Sequence, residues 1–123
     1  MAFPSISTKA TNVELTPEIE GLLDQKFKPL EKFISSDETD VACNVELNKI
    51  AEHQSGKIYR VEVNFKIAGR LHRAEATEDQ IERAIDVARD ELKRELRRAQ
   101  SKQRSLVRRG GAALKNMLQF GKE

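Results

Sequence analysis

Eight lysines and arginines fall within residues 96–122, a stretch that contains no aspartate or glutamate. Residues 1–95 hold 14 basic and 19 acidic residues, a net charge of −5, so the overall charge of +2 conceals an uneven distribution along the chain. Unopposed cationic side chains release counterions when they meet phosphates, which is the main source of sequence-independent affinity for nucleic acids. The charge pattern therefore indicates a polyanionic partner, either nucleic acid or an anionic membrane surface.

The residue types that commonly carry catalysis or bind metals form no such constellation in this sequence. His53 and His72 have no Cys, His or acidic partners at ligand spacing, so we expect no metal site. Cys43, the only cysteine, lies on the buried side of an alternating strand pattern, so we predict that it is a core residue. A single cysteine also fits a protein of the reducing cytoplasm. The carboxylates are interleaved with Lys and Arg, which indicates solvated faces rather than acid–base pairs. We therefore expect no enzymatic activity, no cofactor and no small-molecule substrate.

Nucleic acid is favoured over a membrane by the rest of the sequence. The chain has no apolar run near the ~20 residues that cross a bilayer, and its start lacks the basic and apolar regions of a secretion signal. The segment LVRRGGAALKNMLQF mixes basic and apolar residues, but Gly110-Gly111 interrupts it. Tyr59 and Phe65 fit a core pattern, so base stacking on a sheet is disfavoured. We expect a folded RNA recognised by backbone and shape, and no membrane partner.

Three segments in the middle of the chain have the patterns of strands. VACNVELN and KIYRVEVNFKI alternate apolar and polar residues over long runs, which is typical of a sheet with one buried and one wet face. Ala68-Gly69 predicts a tight turn into a fourth strand, RLHRAEA, while SISTKA near the start weakly predicts a first strand.

Two helices complete the predicted fold. Thr16 and Pro17 predict the start of the first helix, and Pro29 should loosen this helix near its end. Thr77 predicts the N-cap of the second helix, which should run to about Gln103. Each helix has one apolar stripe, so both should cover the same face of the sheet. We predict an α+β domain over residues 1–102, ordered β-α-β-β-β-α with a four-stranded sheet, and a basic, flexible tail over residues 103–123.

A family resemblance is carried by two segments, VELTPEIEGLLDQKFKPLEKFI from position 13 and RVEVNFKIAGRLHRAEATEDQIERAIDVARDELKRELRR from position 60. They resemble the ribosome hibernation-promoting factors, a family that includes the ribosome-associated inhibitor and the sigma-54 modulation proteins. The likeness covers about residues 5–102. The resemblance is to the short members of the family, because the long members carry a separate C-terminal dimerisation domain that we do not expect here.

The resemblance implies a bacterial, cytoplasmic, ribosome-associated protein that is not an enzyme. Members bind the small ribosomal subunit between head and body, where mRNA and tRNAs would lie, and repress translation under stress or in stationary phase. Their basic helix residues contact rRNA phosphates, which implies these contacts here: Lys26, Lys28 and Lys32 on the first helix, and Arg89, Lys93, Arg94, Arg97, Arg98 and Lys102 on the second.

Other positions are less directly implied. Arg70 and Arg73 on the fourth strand are weaker candidates, and Glu82 and Glu91 stand where the family often has an aromatic residue and a lysine, which dilutes the positive charge. The tail has no counterpart in the family. We hypothesise that it enters the mRNA channel or binds rRNA, with these contacts: Arg104, Arg108, Arg109 and Lys115.

Two alternatives stay open. The fold resembles a rearranged double-stranded RNA-binding domain, which would make the chain a stand-alone RNA-binding module. The older sigma-factor name suggests instead a protein-interaction regulator of transcription. Within the leading interpretation, the sequence does not distinguish blocking of initiation from promotion of ribosome dimers.

Overall fold

A computed structural model describes residues 3–50 and 58–109, with side chains up to residue 102. Its regular elements follow the predicted β-α-β-β-β-α order and confirm the α+β class. They are β1 (Ile6–Thr11), α1 (Pro17–Phe27), a 3₁₀ segment (Lys28–Phe33), β2 (Val41–Lys49), β3 (Tyr59–Ile67), β4 (Arg70–Glu78) and α2 (Ile81–Arg109).

The four strands form one mixed sheet in the order β1-β2-β3-β4. β1 runs parallel to β2, so the chain must cross over between them, and α1 forms that crossover. The other pairs are antiparallel, with Cys43 opposite Phe65 and Phe65 opposite His72. Because side chains alternate along a strand, this register places every apolar set on one face. The predicted division into a buried and a wet face is confirmed.

Both helices pack on that buried face, as predicted. Ile85, Ala88 and Leu92 of α2 are fully buried in the same core as Val61 and Phe65 of β3. Leu23 and Phe27 bring α1 into this core, and α1 also contacts α2. One side of the sheet therefore carries the hydrophobic core of the described residues, and the helices shield it.

The ends of α1 follow the sequence closely. The hydroxyl oxygen of Thr16 accepts a hydrogen bond from the backbone N–H of Ile19 at 3.2 Å, and Pro17 is the first helical residue. Pro29 has no N–H to continue the helix, and from Lys28 the chain tightens into the 3₁₀ segment. The predicted cap and the predicted loosening near Pro29 are both confirmed.

Two predicted boundaries of the second helix are wrong. Thr77 lies in β4, where it pairs with Arg60, because its β-branched side chain suits a strand and the pairing with β3 continues to Glu78. At the other end α2 continues past Gln103 to Arg109, since good helix formers and no breaker precede Gly110. The first part of the predicted flexible tail is therefore helical, and residues 110–123 lie outside the described part.

The turn between β3 and β4 offers a test of local strain. Ala68 and Gly69 have φ values of 52° and 81°, the pattern of a type I′ turn, which favours Asn-Gly. We expect Ala68→Asn to raise the free energy of unfolding by about 0.5–1 kcal/mol, because alanine is strained at positive φ. Urea denaturation would measure this. Ala68→Val should instead lower the midpoint, and equal midpoints for both variants and the parent would contradict the strain.

Candidate nucleic-acid interface

The charge of α2 is divided along its length. Residues 81–92 include four acidic and two basic residues, whereas residues 93–109 include eight basic and one acidic residue. Cations near the C-terminal end of a helix interact favourably with its dipole, so this placement also suits the helix. Glu82 and Glu91 belong to the acidic half. The C-terminal half of α2 therefore presents the unopposed positive charge.

One group of cations lies where α2 meets the 3₁₀ segment. We call Lys32, Arg89, Lys93 and Arg97 the seam cluster. The last three are spaced four residues apart and share one flank of α2. The ammonium of Lys32, followed by the guanidinium of Arg97, lowers the pKa of Lys93, which shows that these charges are close enough to repel one another. A bound phosphate would relieve that repulsion.

Three of the nine implied helix residues form ion pairs. Lys26 Nζ lies 2.8 Å from Asp86 Oδ1 and joins α1 to α2, Arg89 lies 2.7 Å from Asp90, and Arg98 lies 3.3 Å from Glu95. Exposed pairs of this kind contribute only about 0–1 kcal/mol, so the arginines can exchange them for phosphate. The other six form no ion pair with a described residue: Lys28, Lys32, Lys93, Arg94, Arg97 and Lys102.

The other flank of α2 forms a groove with β4. This β4–α2 groove has a volume of about 640 Å³ and is lined by Arg70, Leu71, His72, Glu95, Arg98, Ala99 and Lys102. Leu71 is the one large apolar side chain of the described residues that is well exposed, at 58%. The implied residues of α2 therefore divide between two flanks of the helix, with the exposed Arg94 between them at about 100° per residue.

The two arginines of β4 lie on opposite faces of the sheet. Arg70 shares the helix side with His72, whereas Arg73 lies on the wet face and donates to Glu62 Oε1 at 3.1 Å. Glu62 also accepts from Arg60 at 2.8 Å, and Arg60 pairs with Glu75. The hydrogen bond from Arg60 lowers the pKa of Glu62, and Asn64 adds to it. This ion-paired network neutralises the wet face, which we did not predict from the sequence.

The tail candidates are only partly described. The backbone of Arg104, Arg108 and Arg109 belongs to α2, while their side chains and all of Lys115 lie outside the described residues. They remain predictions.

Cys43 is buried in the core, as predicted, and burial raises the pKa of its thiol to about 12. Within residues 3–50 and 58–102, no three His, Cys, Asp or Glu side chains are placed to hold a metal ion. His53 lies outside the described residues. None of the helices described is both long and apolar enough to cross a membrane.

The fold and the surface define a small α+β domain with two helices on one face of a mixed sheet and a basic flank on each side of α2. The family model described as "Sigma 54 modulation protein / S30EA ribosomal protein" matches residues 6–104. The chain belongs to this family, which confirms the predicted resemblance.

Two solved structures are similar to the chain. The crystal structure of the Thermus thermophilus Protein Y N-terminal domain has 26% sequence identity and a TM-score of 0.63, with 77% of this chain and 98% of that chain covered. A ribosomal subunit interface protein from Coxiella burnetii has 16% identity and a TM-score of 0.60, with 78% and 97% covered, and supports the fold alone. No curated protein matches the chain.

Proposed function

We propose that the chain binds the small ribosomal subunit between its head and body and represses translation under stress or in stationary phase. The family includes ribosomal proteins by its description, which supports a ribosomal partner. The seam cluster is the observation that carries the proposal, because it brings cations of two elements together on one surface. In this role the protein is a cytoplasmic, ribosome-associated binding protein rather than an enzyme.

The contacts are electrostatic and do not read sequence. Lys32 comes from the 3₁₀ segment and Lys93 and Arg97 come from α2, so phosphates bridging them would fix the orientation of the domain. Guanidinium groups can hold phosphate oxygens with two parallel hydrogen bonds, which adds geometric precision. Repression then requires no reaction, since a folded domain seated in the decoding cleft occupies the space of mRNA and tRNA.

Co-sedimentation on sucrose gradients tests this function. We expect the chain to travel with small subunits and to be displaced by mRNA together with tRNA. A stand-alone double-stranded RNA-binding module would bind any duplex RNA equally well. A protein-interaction regulator of transcription would stay at the top of the gradient. Either of these results would contradict the proposal.

The proposed contacts of the tail can be divided by two truncations. Removing residues 110–123 deletes Lys115 and Lys122, whereas removing residues 104–123 also deletes Arg104, Arg108 and Arg109 from the end of α2. We expect the longer deletion to weaken subunit binding more and to flatten its salt dependence, because each lost phosphate contact reduces the slope of log K against log salt by roughly 0.9. Binding measured from 50 to 300 mM KCl would show this. Equal affinity for all three chains across that range would exclude contacts by the tail.

A further inference from the structure

His72 is a buried polar side chain that the proposed function has not used. The residue is 9% exposed, and its Nδ1 has no hydrogen-bond partner among the described residues. The nearest acidic group is Glu95, whose Oε1 lies 3.8 Å from Nδ1, too far for a hydrogen bond. Buried polar atoms are nearly always paired, so an orphaned imidazole nitrogen beside a carboxylate calls for an explanation.

Glu95 lies between His72 and the surface. Its second oxygen, Oε2, is 3.3 Å from Arg98 Nη1, so one carboxylate faces a buried imidazole on one side and a surface guanidinium on the other. Glu95 therefore links the buried imidazole of His72 to the surface guanidinium of Arg98.

The charged groups around His72 are few. β4 contributes Arg70 to the groove, and α2 contributes Glu95, Arg98 and Lys102. The neighbouring residues of the 3₁₀ segment and β3 are uncharged: Phe33, Phe65 and Ile67. Three cations and one carboxylate thus surround the imidazole, a net charge of +2. Phosphates bound to the three cations would offset that positive charge.

We propose that the β4–α2 groove is a phosphate subsite for RNA, formed by Arg70, Arg98 and Lys102, and that its occupation is coupled through Glu95 to protonation of His72. This inference rests on the proposed function and adds to it a subsite and its regulation. When His72 is protonated, its Nδ1–H donates to Glu95, and the set of His72, Glu95 and Arg98 changes from a net charge of zero to +1. Arg98 then meets phosphate without a competing carboxylate.

The direction of the pH effect follows from this linkage. Imidazole is the side chain that changes its charge between about pH 5 and 8. Because the protonated form favours RNA, affinity should rise as pH falls, and by reciprocity RNA binding should take up protons. A full one-proton linkage changes affinity at most tenfold per pH unit, so we expect a gain of roughly three- to tenfold between pH 8 and pH 6.

Three variants test the coupling on small ribosomal subunits at pH 6 and pH 8. His72→Gln should remove the gain at low pH. Glu95→Gln should also remove it, but should bind more tightly than the parent at pH 8, because the carboxylate that opposes phosphate at Arg98 is gone. His53→Gln changes the only other histidine and should keep the parent's response. Comparison with the variants cancels any pH effect on the ribosome, and circular dichroism verifies that each variant is folded.

Calorimetry in two buffers of different ionisation enthalpy gives a second readout, the number of protons taken up on binding. The parent and His53→Gln should take up a fraction of a proton near pH 7 that both groove variants lack. Equal pH responses and proton uptake in all four chains would overturn the coupling while leaving the proposed function intact. Absence of subunit binding at both pH values would overturn both. If Glu95→Gln loses the pH response and binds more tightly than the parent at pH 8, the coupling is supported even if His72→Gln fails to fold.

Discussion

Replacing Lys32, Lys93 and Arg97 together with glutamine is expected to weaken binding to small ribosomal subunits by roughly 100-fold at physiological salt, about 3 kcal/mol. These residues form the part of the seam cluster that has no ion pair with a described residue, so each is available to meet a phosphate. The slope of log K against log salt should fall by about three, one for each lost phosphate contact. Filter binding or sedimentation at several salt concentrations would measure both quantities.

A matched control removes the same charge from the other face of the sheet. Lys9, Arg60 and Lys66 follow the wet-face alternation of their strands, and replacing them with glutamine lowers the net charge by the same three units. We expect this control to keep most of the affinity. If both triple variants lose affinity equally, general electrostatic attraction rather than the seam cluster accounts for binding.

Folding should be insensitive to the seam substitutions. The pKa of Lys93 is lowered chiefly by Lys32, which means that the two ammonium groups disfavour each other in the folded chain. Removing them relieves repulsion, so the seam variant should unfold at the same or a slightly higher urea concentration than the parent. A loss of binding in that variant would then report on the interface and not on stability.

The largest expected effect on stability is at Phe65. This ring is fully buried in the middle of the sheet, opposite Cys43 and His72, and its centroid lies 5.4 Å from that of Phe3. We expect Phe65→Ala to lower the free energy of unfolding by about 3–5 kcal/mol, through lost burial and the cavity left behind. Domains of this size have about 5–15 kcal/mol in total, so the variant should be close to unfolding at growth temperature.

Phe3→Ala is the companion variant. Phe3 is only partly buried, at the start of the described chain, and its truncation should cost less than half as much as that of Phe65. Urea denaturation followed by circular dichroism would measure both variants. Equal losses would contradict the smaller contribution expected of Phe3, and a loss below about 1 kcal/mol at Phe65 would contradict its central position.

The fold could be predicted from the sequence because its main signals are local. Alternation in β2 and β3, the Thr16-Pro17 cap and the α2 stripe each depend on residues that are close in the chain. The errors arose where a tertiary contact decided the outcome. Thr77 has the side chain of a cap, but pairing with Arg60 holds it in β4. Propensity alone could not weigh those two options.

The candidate interface was predictable in composition but not in arrangement. The sequence located the cations on the helices, but the pair of Lys26 with Asp86 and the approach of His72 to Glu95 join residues 60 and 23 positions apart in the chain. The sequence does contain the signal that separates Arg70 from Arg73, because residues three apart on a strand lie on opposite faces of the sheet. Our prediction grouped the two arginines without applying this rule.

The length of α2 bears on the entropy of binding. Leu96 is the last buried residue among the described side chains of the helix, and the exposed Ser101 and Lys102 are followed by helix as far as Arg109. Nine residues from 101 to 109 extend about 13 Å at 1.5 Å per residue. Ordering the backbone of one residue costs roughly 1–2 kcal/mol, and for these residues that cost is met when the domain folds. A partner that contacts them there meets a segment whose conformational freedom has already been lost.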